Sequence, residues 1–371
     1  MSRTASTSRA RAREAPDGLL VLPGFVDGHC HLDKTLFGTR WRAHRAENSV
    51  AGRIAAERAL RADAALPVAE RGARLLERMV ACGTTALRTH VDIDTSIGLD
   101  HLHSILGLRR AWQGLVDIQV VAFPQSGILR DPGTDALLDA ALAEGADAIG
   151  GLDPVDIDGD RDAHLDLVFR LASRHARSVD IHLHERGETG LGTIEQICRR
   201  TLAAGLEGRT VISHAFALGD ADPRRLEPVA SLLAKARIAI LTSAPGQVPM
   251  PPVKWLRDAG VEVFAGSDNI RDAWSPFGNG DMLERAMLVA YRQGFRTDED
   301  LAVAFDLITG AARRATGLAG DTGSVSLAAE TLAEAIVMRP AARLVCRGAL
   351  QLARDGRCVV APRLTEVDRS R

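Results

Sequence analysis

The chain has 371 residues, 46% of them hydrophobic and 25% charged, and a formal net charge of -2, so it can bury a large core and carries no electrostatic bias toward nucleic acid or an anionic membrane. No apolar run reaches the roughly 18 residues that a membrane-spanning helix needs. Five scattered cysteines (Cys30, Cys82, Cys198, Cys346 and Cys358), odd in number and without a C-x-x-C pair, read as free thiols in a reducing compartment, which points to the cytoplasm.

Residues 1–17 are rich in Arg, Ser and Ala but lack an apolar stretch of signal-peptide type. They read as a disordered tail, outside the fold. From there the chain alternates short apolar, β-branched runs with longer helical stretches. The predicted strands are Val21 to His31, Thr84 to Val91, Asp117 to Phe123, Ala148 to Leu152, Val179 to His184, Arg209 to His214, Ile238 to Thr242 and Val261 to Ser267. The predicted helices are Ala69 to Ala81, Asp135 to Glu144, His164 to Arg177, Thr193 to Gly205, Asp222 to Lys235 and Val253 to Gly260. Several end near a glycine, as at Gly83, Gly145 and Gly260, where a left-handed cap stops the helix. Strands alternating with helices predict an α/β fold, a (β/α)₈ barrel over residues 18–320. An open doubly wound sheet fits less well, since no Gly-rich phosphate turn follows the first strand.

In such a barrel the chemistry collects at the C-terminal ends of the strands. There the sequence places His29 and His31, then Arg88 and His90, Gln125, Asp153, His182, His184 and Glu185, His214, and finally Asp268 and Asn269. Of the eleven histidines, His29, His31, His90, His182, His184 and His214 fall at strand ends, His164 follows closely after the fourth strand, and only His44, His101, His103 and His175 lie elsewhere. The pair His29-x-His31 projects to one face of its strand, which is half of a metal site. Imidazoles with one carboxylate suit a catalytic Zn²⁺ or Fe²⁺ that keeps a position open for water. The ion lowers the pKa of that water, and a neighbouring carboxylate such as Glu185 can shuttle the proton to a leaving group.

Six motifs in this order, Gly28-His29-Cys30-His31-Leu32-Asp33-Lys34, Arg88-Thr89-His90-Val91-Asp92, Val121-Ala122-Phe123-Pro124-Gln125, Asp180-Ile181-His182-Leu183-His184-Glu185, Ser213-His214 and Gly266-Ser267-Asp268-Asn269, resemble the amidohydrolase superfamily. The chain most resembles its cytosine deaminase branch, which includes aminohydrolases of triazines and related heterocycles. The resemblance implies that His29, His31, His182 and Asp268 hold the metal, and that Glu185, three residues beyond His182, shuttles the proton. It implies further that His214 and Asp268 polarise the attacking water, and that Gln125 and Trp274 line the substrate pocket. No lysine stands at the end of the fourth strand, where binuclear relatives carry a bridging one, so one divalent ion per subunit is expected, zinc or iron, with manganese also accepted.

Two features depart from that branch. Asn269 stands where typical cytosine deaminases carry a second aspartate, and an amide both donates and accepts, which suits a different ring or an N-substituted amine. The segment Asp153 to Asp160 holds four carboxylates, readable as a cation-attracting or Ca²⁺-binding loop, with a solvated loop as the default. Other residues read as support: Arg88 and His90 hold the ligands, Asp33 and Lys34 stabilise the turn after the first strand, His184 packs beside His182, and Cys30 is core. Trp274, in a chain with one Tyr, four Trp and nine Phe, is more informative beside the metal aspartate than a packed aromatic elsewhere.

Residues 321–371 read as a reduced accessory β-structure, with strands at Ala335-Ile336-Val337-Met338 and Arg343-Leu344-Val345-Cys346. The N-terminal contribution is nearly absent, only Gly18 to Leu22 preceding the barrel. Uncovered strand edges favour a homo-oligomer. The function expected is a deaminase, in which metal-bound hydroxide attacks a ring carbon of a small nitrogen heterocycle. Hydrolysis of a cyclic amide or an N-alkylamino bond by the same site is the alternative, and a non-catalytic metal or ligand binder is the reading from another class. A binder needs no proton shuttle, so Glu185 speaks against it. The zinc-deaminase signature that acts on flipped nucleic-acid bases is absent, which leaves a free small molecule as partner.

Overall fold

The computed structural model describes residues 20–44, 49–61, 66–318, 328–338, 343–347, 350–354 and 357–358. Eight parallel strands form one sheet in sequence order: β2 (Phe25–Cys30), β3 (Thr84–Asp92), β4 (Asp117–Phe123), β5 (Ala148–Leu152), β6 (Ser178–Leu183), β7 (Thr210–His214), β8 (Ala239–Thr242) and β9 (Val263–Ala265). Every residue of β2, β3, β5, β7, β8 and β9 is buried, as parallel strands covered on both faces require. Helices cover the outside; Val68–Ala81, for example, buries Leu75, Leu76, Met79 and Val80 against the sheet. This is the expected (β/α)₈ barrel.

The barrel closes just beyond β9. The Asp268 N–H donates to the His29 carbonyl at 2.7 Å, and Cys30 and Asp268 form a parallel bridge. The buried Asp27 carboxylate accepts the Ser267 N–H at 2.9 Å, which adds a side-chain bond to the same seam. Two glycines make the approach possible. A Cβ on Gly28 would lie 2.5 Å from the Phe264 ring, and one on Gly266 would lie 2.5 Å from the His29 nitrogen.

Leu20–Leu22 is not part of the first barrel strand, as the sequence reading had it, but a separate strand, β1. It pairs in parallel with β10 (Arg343–Arg347), which continues antiparallel to β11 (Leu350–Arg354) and β12 (Arg357–Cys358). The accessory sheet therefore takes a three-residue strand from the segment before the barrel, within the short contribution expected of Gly18 to Leu22. Pro23 and Gly24 interrupt the apolar run and let one stretch serve two sheets. A second correction concerns Ala335 to Met338, which ends a helix, Ala329–Met338, rather than forming a strand. A short apolar run does not declare its period, and the preceding Ala329-Glu330-Thr331-Leu332-Ala333-Glu334 is rich in helix formers. That helix buries Ala333, Ala335 and Ile336 and packs on the helix Asp298–Leu307. The tail, residues 1–17, lies outside the described residues.

A helix the sequence reading did not anticipate, α1 (Val50–Arg61), crosses the barrel mouth between β2 and β3. Its Ala- and Arg-rich composition favours helix, but its apolar face is short, Val50 and Ile54 packing partly buried on Phe123, Leu152 and Ile157, and its one buried residue is a glutamate, Glu57.

The closure makes a prediction about Gly266. Gly266→Ala forces a Cβ onto the His29 backbone and is expected to cost about 1–3 kcal/mol in urea unfolding, as overpacking does, whereas Gly246→Ala, with nothing within 4 Å, changes the midpoint little.

Candidate active site

His29 and His31 leave β2 on one face, their ring centroids 5.3 Å apart. His182 from β6 lies 4.5 Å from His29, and His214 from β7 lies 5.1 Å from His182, centroid to centroid. Asp268 completes the group: its Oδ1 is 3.4 Å from His31 Nε2 and 3.7 Å from His29 Nε2, and its Oδ2 is 4.0 Å from His214 Nδ1. Asp153, His214 and Asp268, each at a strand end, have φ of 35°, 73° and 61°. Left-handed backbone at residues with a Cβ costs about 1–3 kcal/mol each and persists only where the surroundings over-determine it.

The cluster is held from below. Ser213 Oγ donates to Asp180 at 2.7 Å, so its lone pair takes the His29 Nδ1 hydrogen at 3.0 Å. That leaves the His29 Nε2 lone pair facing Asp268, the second-partner arrangement by which proteins set an imidazole's tautomer. Asp180 is itself paired with the fully buried Arg88 guanidinium at 2.7 Å, and His90 Nε2 lies 3.4 Å from the same carboxylate. Arg88 and His90 thus pack beneath the histidine cluster through Asp180. Cys30 is buried core, as expected.

Burial, reinforced by neighbouring imidazoles, holds His29 and His182 well below the usual histidine range. Burial likewise lowers His214, to about 4, although Asp268 opposes it. Burial alone would raise the Asp268 carboxyl, but His214, His31 and His29 hold it well below the carboxylate range. His29, His182 and His214 are thereby favoured as neutral imidazoles beside an ionised carboxylate. His29 Nε2, both nitrogens of His182 and His214 Nδ1 are buried with no hydrogen-bond partner. Such orphaned atoms are costly unless something completes them. The sets His29, His182, His214 and His29, His31, Asp268 each bring their ligand atoms within 4.8 Å of one another. This donor chemistry fits a divalent ion. A third set, His29, His90 and Asp180, shares the floor, but its carboxylate is already taken by Arg88 and Ser213.

Above the cluster opens a cavity of about 540 Å³, bordered by Gln125, His184, Phe216, Asn269 and Trp274, and on the α1 side by Val50 and Arg53. Its size suits a small ring. Another cavity, of about 640 Å³ beside Trp41 and Pro276, contains none of the strand-end histidines.

Three residues are placed differently from what their expected roles suggest. Glu185 is buried and does not border the cavity: Oε1 accepts the Val155 N–H at 2.7 Å, and Oε2 accepts the Thr193 hydroxyl at 2.6 Å. Past the end of β6 the chain turns toward the next helix and takes this carboxylate with it. His184 borders the cavity instead, two residues beyond His182 on the same face. Its Nδ1 binds Asp153 Oδ2 at 2.8 Å, its N–H binds Oδ1 at 2.6 Å, and its ring stacks on His214 at 4.7 Å. Burial disfavours the His184 cation, but the Asp153 carboxylate outweighs it and raises the pKa. Lys34 also reaches the cavity, where a role in the turn had been expected. Its ammonium donates to Gln125 Oε1 and lies 3.1 Å from Asp92 and 3.6 Å from Glu57. A lysine five residues past a metal-type histidine was the signal available.

The acidic segment is solvated only in part, with Asp156 and Asp160 exposed. Asp153 holds His184, Asp158 accepts from Ile128, Arg130 and His164, and Asp160 caps the helix Arg161–Arg174.

A (β/α)₈ barrel whose strand ends converge imidazoles and one aspartate beneath a ring-sized cavity defines a hydrolase of the metal-dependent barrel class. Residues 17–330 match the amidohydrolase family, and the chain belongs to it, a family of hydrolases acting on carbon–nitrogen bonds. It is 34% identical to the N-isopropylammelide isopropyl amidohydrolase of Pseudomonas sp. (strain ADP), over 82% of this chain and 77% of that protein. The crystal structure of N-isopropylammelide isopropylaminohydrolase from Burkholderia multivorans superposes with a TM-score of 0.85 at 45% identity, covering 93% of this chain and 92% of that one. That of 5-methylcytosine deaminase from Klebsiella pneumoniae, liganded with 5-fluorocytosine, gives 0.76 at 25% identity, covering 92% and 86%. No helix among the described residues is long and apolar enough to cross a membrane.

If the orphaned nitrogens complete one ion, chelator-stripped protein titrated with Zn²⁺ takes up about one equivalent with a rise in melting temperature, through the usual linkage of binding to stability. His182→Ala removes both effects, and uptake that survives this change contradicts the assignment.

Proposed function

We propose that this protein is a metal-dependent aminohydrolase that releases an alkylamine from an N-alkylamino nitrogen heterocycle of the triazine kind. The observation that carries the reading is the cluster of unpartnered, neutral imidazoles with Asp268 on the floor of a ring-sized cavity. The names of the two N-isopropylammelide hydrolases support an alkylamine as the leaving group. Release of ammonia from an unsubstituted amino group, the chemistry named for the Klebsiella relative, is the second reading.

His29, His31, His182 and Asp268 would hold the ion, with His214 beside them; zinc or iron suits this set, and manganese is a third candidate. When bound, a divalent ion there lowers the pKa of a water toward neutrality and so supplies a nucleophile near pH 7. Asp268 and His214 are placed to orient that water and to accept its proton. For each water consumed, one carbon–nitrogen bond would give way to one carbon–oxygen bond, and the amine would leave with the proton the water gave up. We assign the delivery of that proton to His184, which Asp153 holds in orientation and favours in its charged form. Glu185 then fixes the Val155 turn that positions Asp153 rather than moving the proton itself. Gln125, Asn269 and Trp274 hold the ring.

We also place the reaction in the cytoplasm, on a free small molecule, in a homo-oligomer. Cys30, Cys82 and Cys198 are buried and outside any disulfide, and the accessory sheet ends in the strand edges of β1 and β12.

Metal-loaded protein given an N-isopropylamino-dioxotriazine is expected to release isopropylamine, detected by mass spectrometry. His184→Gln is expected to lower kcat by about 10²–10⁴ with little change in KM, and Glu185→Gln by about tenfold or less. The opposite ranking returns the proton to Glu185.

A further inference from the structure

Helix α1 stands between two cavities. Val50 and Arg53 border the one above the histidine cluster, and Gly52, Ala55, Ala56 and Ala59 border the larger one beside Trp41. The apolar contacts of the helix with the core are those of Val50 and Ile54, both half-buried, against Phe123, Leu152 and Ile157. Twelve residues are too few to hold a helix by themselves in water, so contacts with the barrel must do it.

Charge supplies those contacts. The Glu57 carboxylate, 4% exposed, accepts from Arg61 at 2.8 Å and from the Trp274 indole N–H at 2.5 Å, and lies 3.6 Å from the Lys34 ammonium. Arg61 reaches on to Asp92 and, at 3.1 Å, to Asp94, both fully buried, and Arg58 bonds to Ser126. Two of the Glu57 partners, Lys34 and Trp274, border the cavity themselves. The ammonium lies 5.5 Å from the indole ring centre, within cation–π reach. The Trp274 main-chain N–H belongs to Asp272, on its own loop, whereas its indole N–H is taken by α1. An indole nitrogen only donates, so the position of Glu57 decides which way the ring stands.

We propose that Glu57 is a positioning residue. It latches α1 to the barrel by charge, and through the same carboxylate it sets the Trp274 indole and the Lys34 ammonium at the cavity, so that docking of the helix and completion of the cavity wall are one event. An undocked helix then lowers affinity for a ligand of the cavity without touching the groups that hold the ion or move the proton, and a bound ligand favours the docked helix. Salt screens separated charges in water far more than buried pairs, so added salt favours undocking. The effect on substrate rests on the cavity being the substrate site proposed above; the latch itself does not.

Hydrogen exchange read by mass spectrometry on metal-loaded wild type and Glu57→Gln tests the latch. The amide keeps the size of the carboxylate and an oxygen for the indole but loses the charge that pairs with Lys34 and Arg61. Residues 50–61 are expected to exchange at least about tenfold faster in Glu57→Gln, since a buried pair that loses one partner strands the other, while β6 is unchanged. In wild type the same residues are expected to exchange faster at about 1 M than at about 0.1 M KCl. The Trp274 fluorescence, taken as the difference from Trp274→Phe, is expected to be quenched by acrylamide more readily in Glu57→Gln. With the N-isopropylamino-dioxotriazine, Glu57→Gln is expected to raise KM about tenfold and leave kcat within about threefold. Exchange over 50–61 that matches wild type, or that rises equally in β6, overturns the latch. Unchanged quenching, or a fall in kcat at constant KM, overturns the positioning role. A wild type that turns over no N-alkylamino ring removes the aminohydrolase reading alone, since exchange and quenching still decide this one. If Glu57→Gln fails to fold, as judged by its thermal transition, the wild-type salt response and Arg61→Gln decide.

Discussion

The site depends on one backbone hydrogen bond, from the Asp268 N–H to the His29 carbonyl, which closes the barrel. It ties the strand that carries two imidazoles to the segment that carries the carboxylate, so closure of the fold and assembly of the cluster are one event. The glycines at 28 and 266 allow the approach, and Asp27 reinforces it through Ser267. Asp268 sits in left-handed backbone because the chain must turn there while still bonded to β2.

Around that seam, charge is arranged in two layers. The lower layer satisfies its own charges: Arg88 and Ser213 hold Asp180, and Ser213 orients His29. The upper layer leaves ring nitrogens of His29, His182 and His214 without a partner. At the mouth, α1 brings Glu57 and Arg61 onto Asp92, Asp94 and Lys34, an ion-pair network buried enough that loss of one partner would strand another. Lys34 carries this network to the cavity wall, where its ammonium meets Gln125.

Much of this was legible in the sequence. Parallel strands buried on both faces appear as apolar runs, and Asp117–Phe123 and Ala148–Leu152 were read with the bounds the structure has. The histidines at strand ends stood out because a barrel brings those positions together, and His29, His31, His182, His214 and Asp268 do converge. Other features depended on tertiary partners. Glu185 and His184 are adjacent in sequence, and only the path of the chain after β6 decides which of them meets the cavity. The acidic segment reads as a solvated loop until Asp153 is seen beneath His184 and Asp158 beneath the turn after β4. Helix α1 carries only the pair Val50 and Ile54 on its inner face and buries a charge, Glu57, beyond them, so its periodicity is too short to mark it. The Ala335 to Met338 run was too short to reveal its period.

The central claim is that imidazoles from β2 and β6, with Asp268, hold one ion on the cavity floor. X-ray absorption spectroscopy of the zinc-loaded protein tests it most directly. The account predicts a first shell of nitrogen and oxygen only, with the outer-shell scattering of about three imidazoles. A sulfur scatterer, which would bring a cysteine into the shell, or a shell without multiple imidazoles would contradict it.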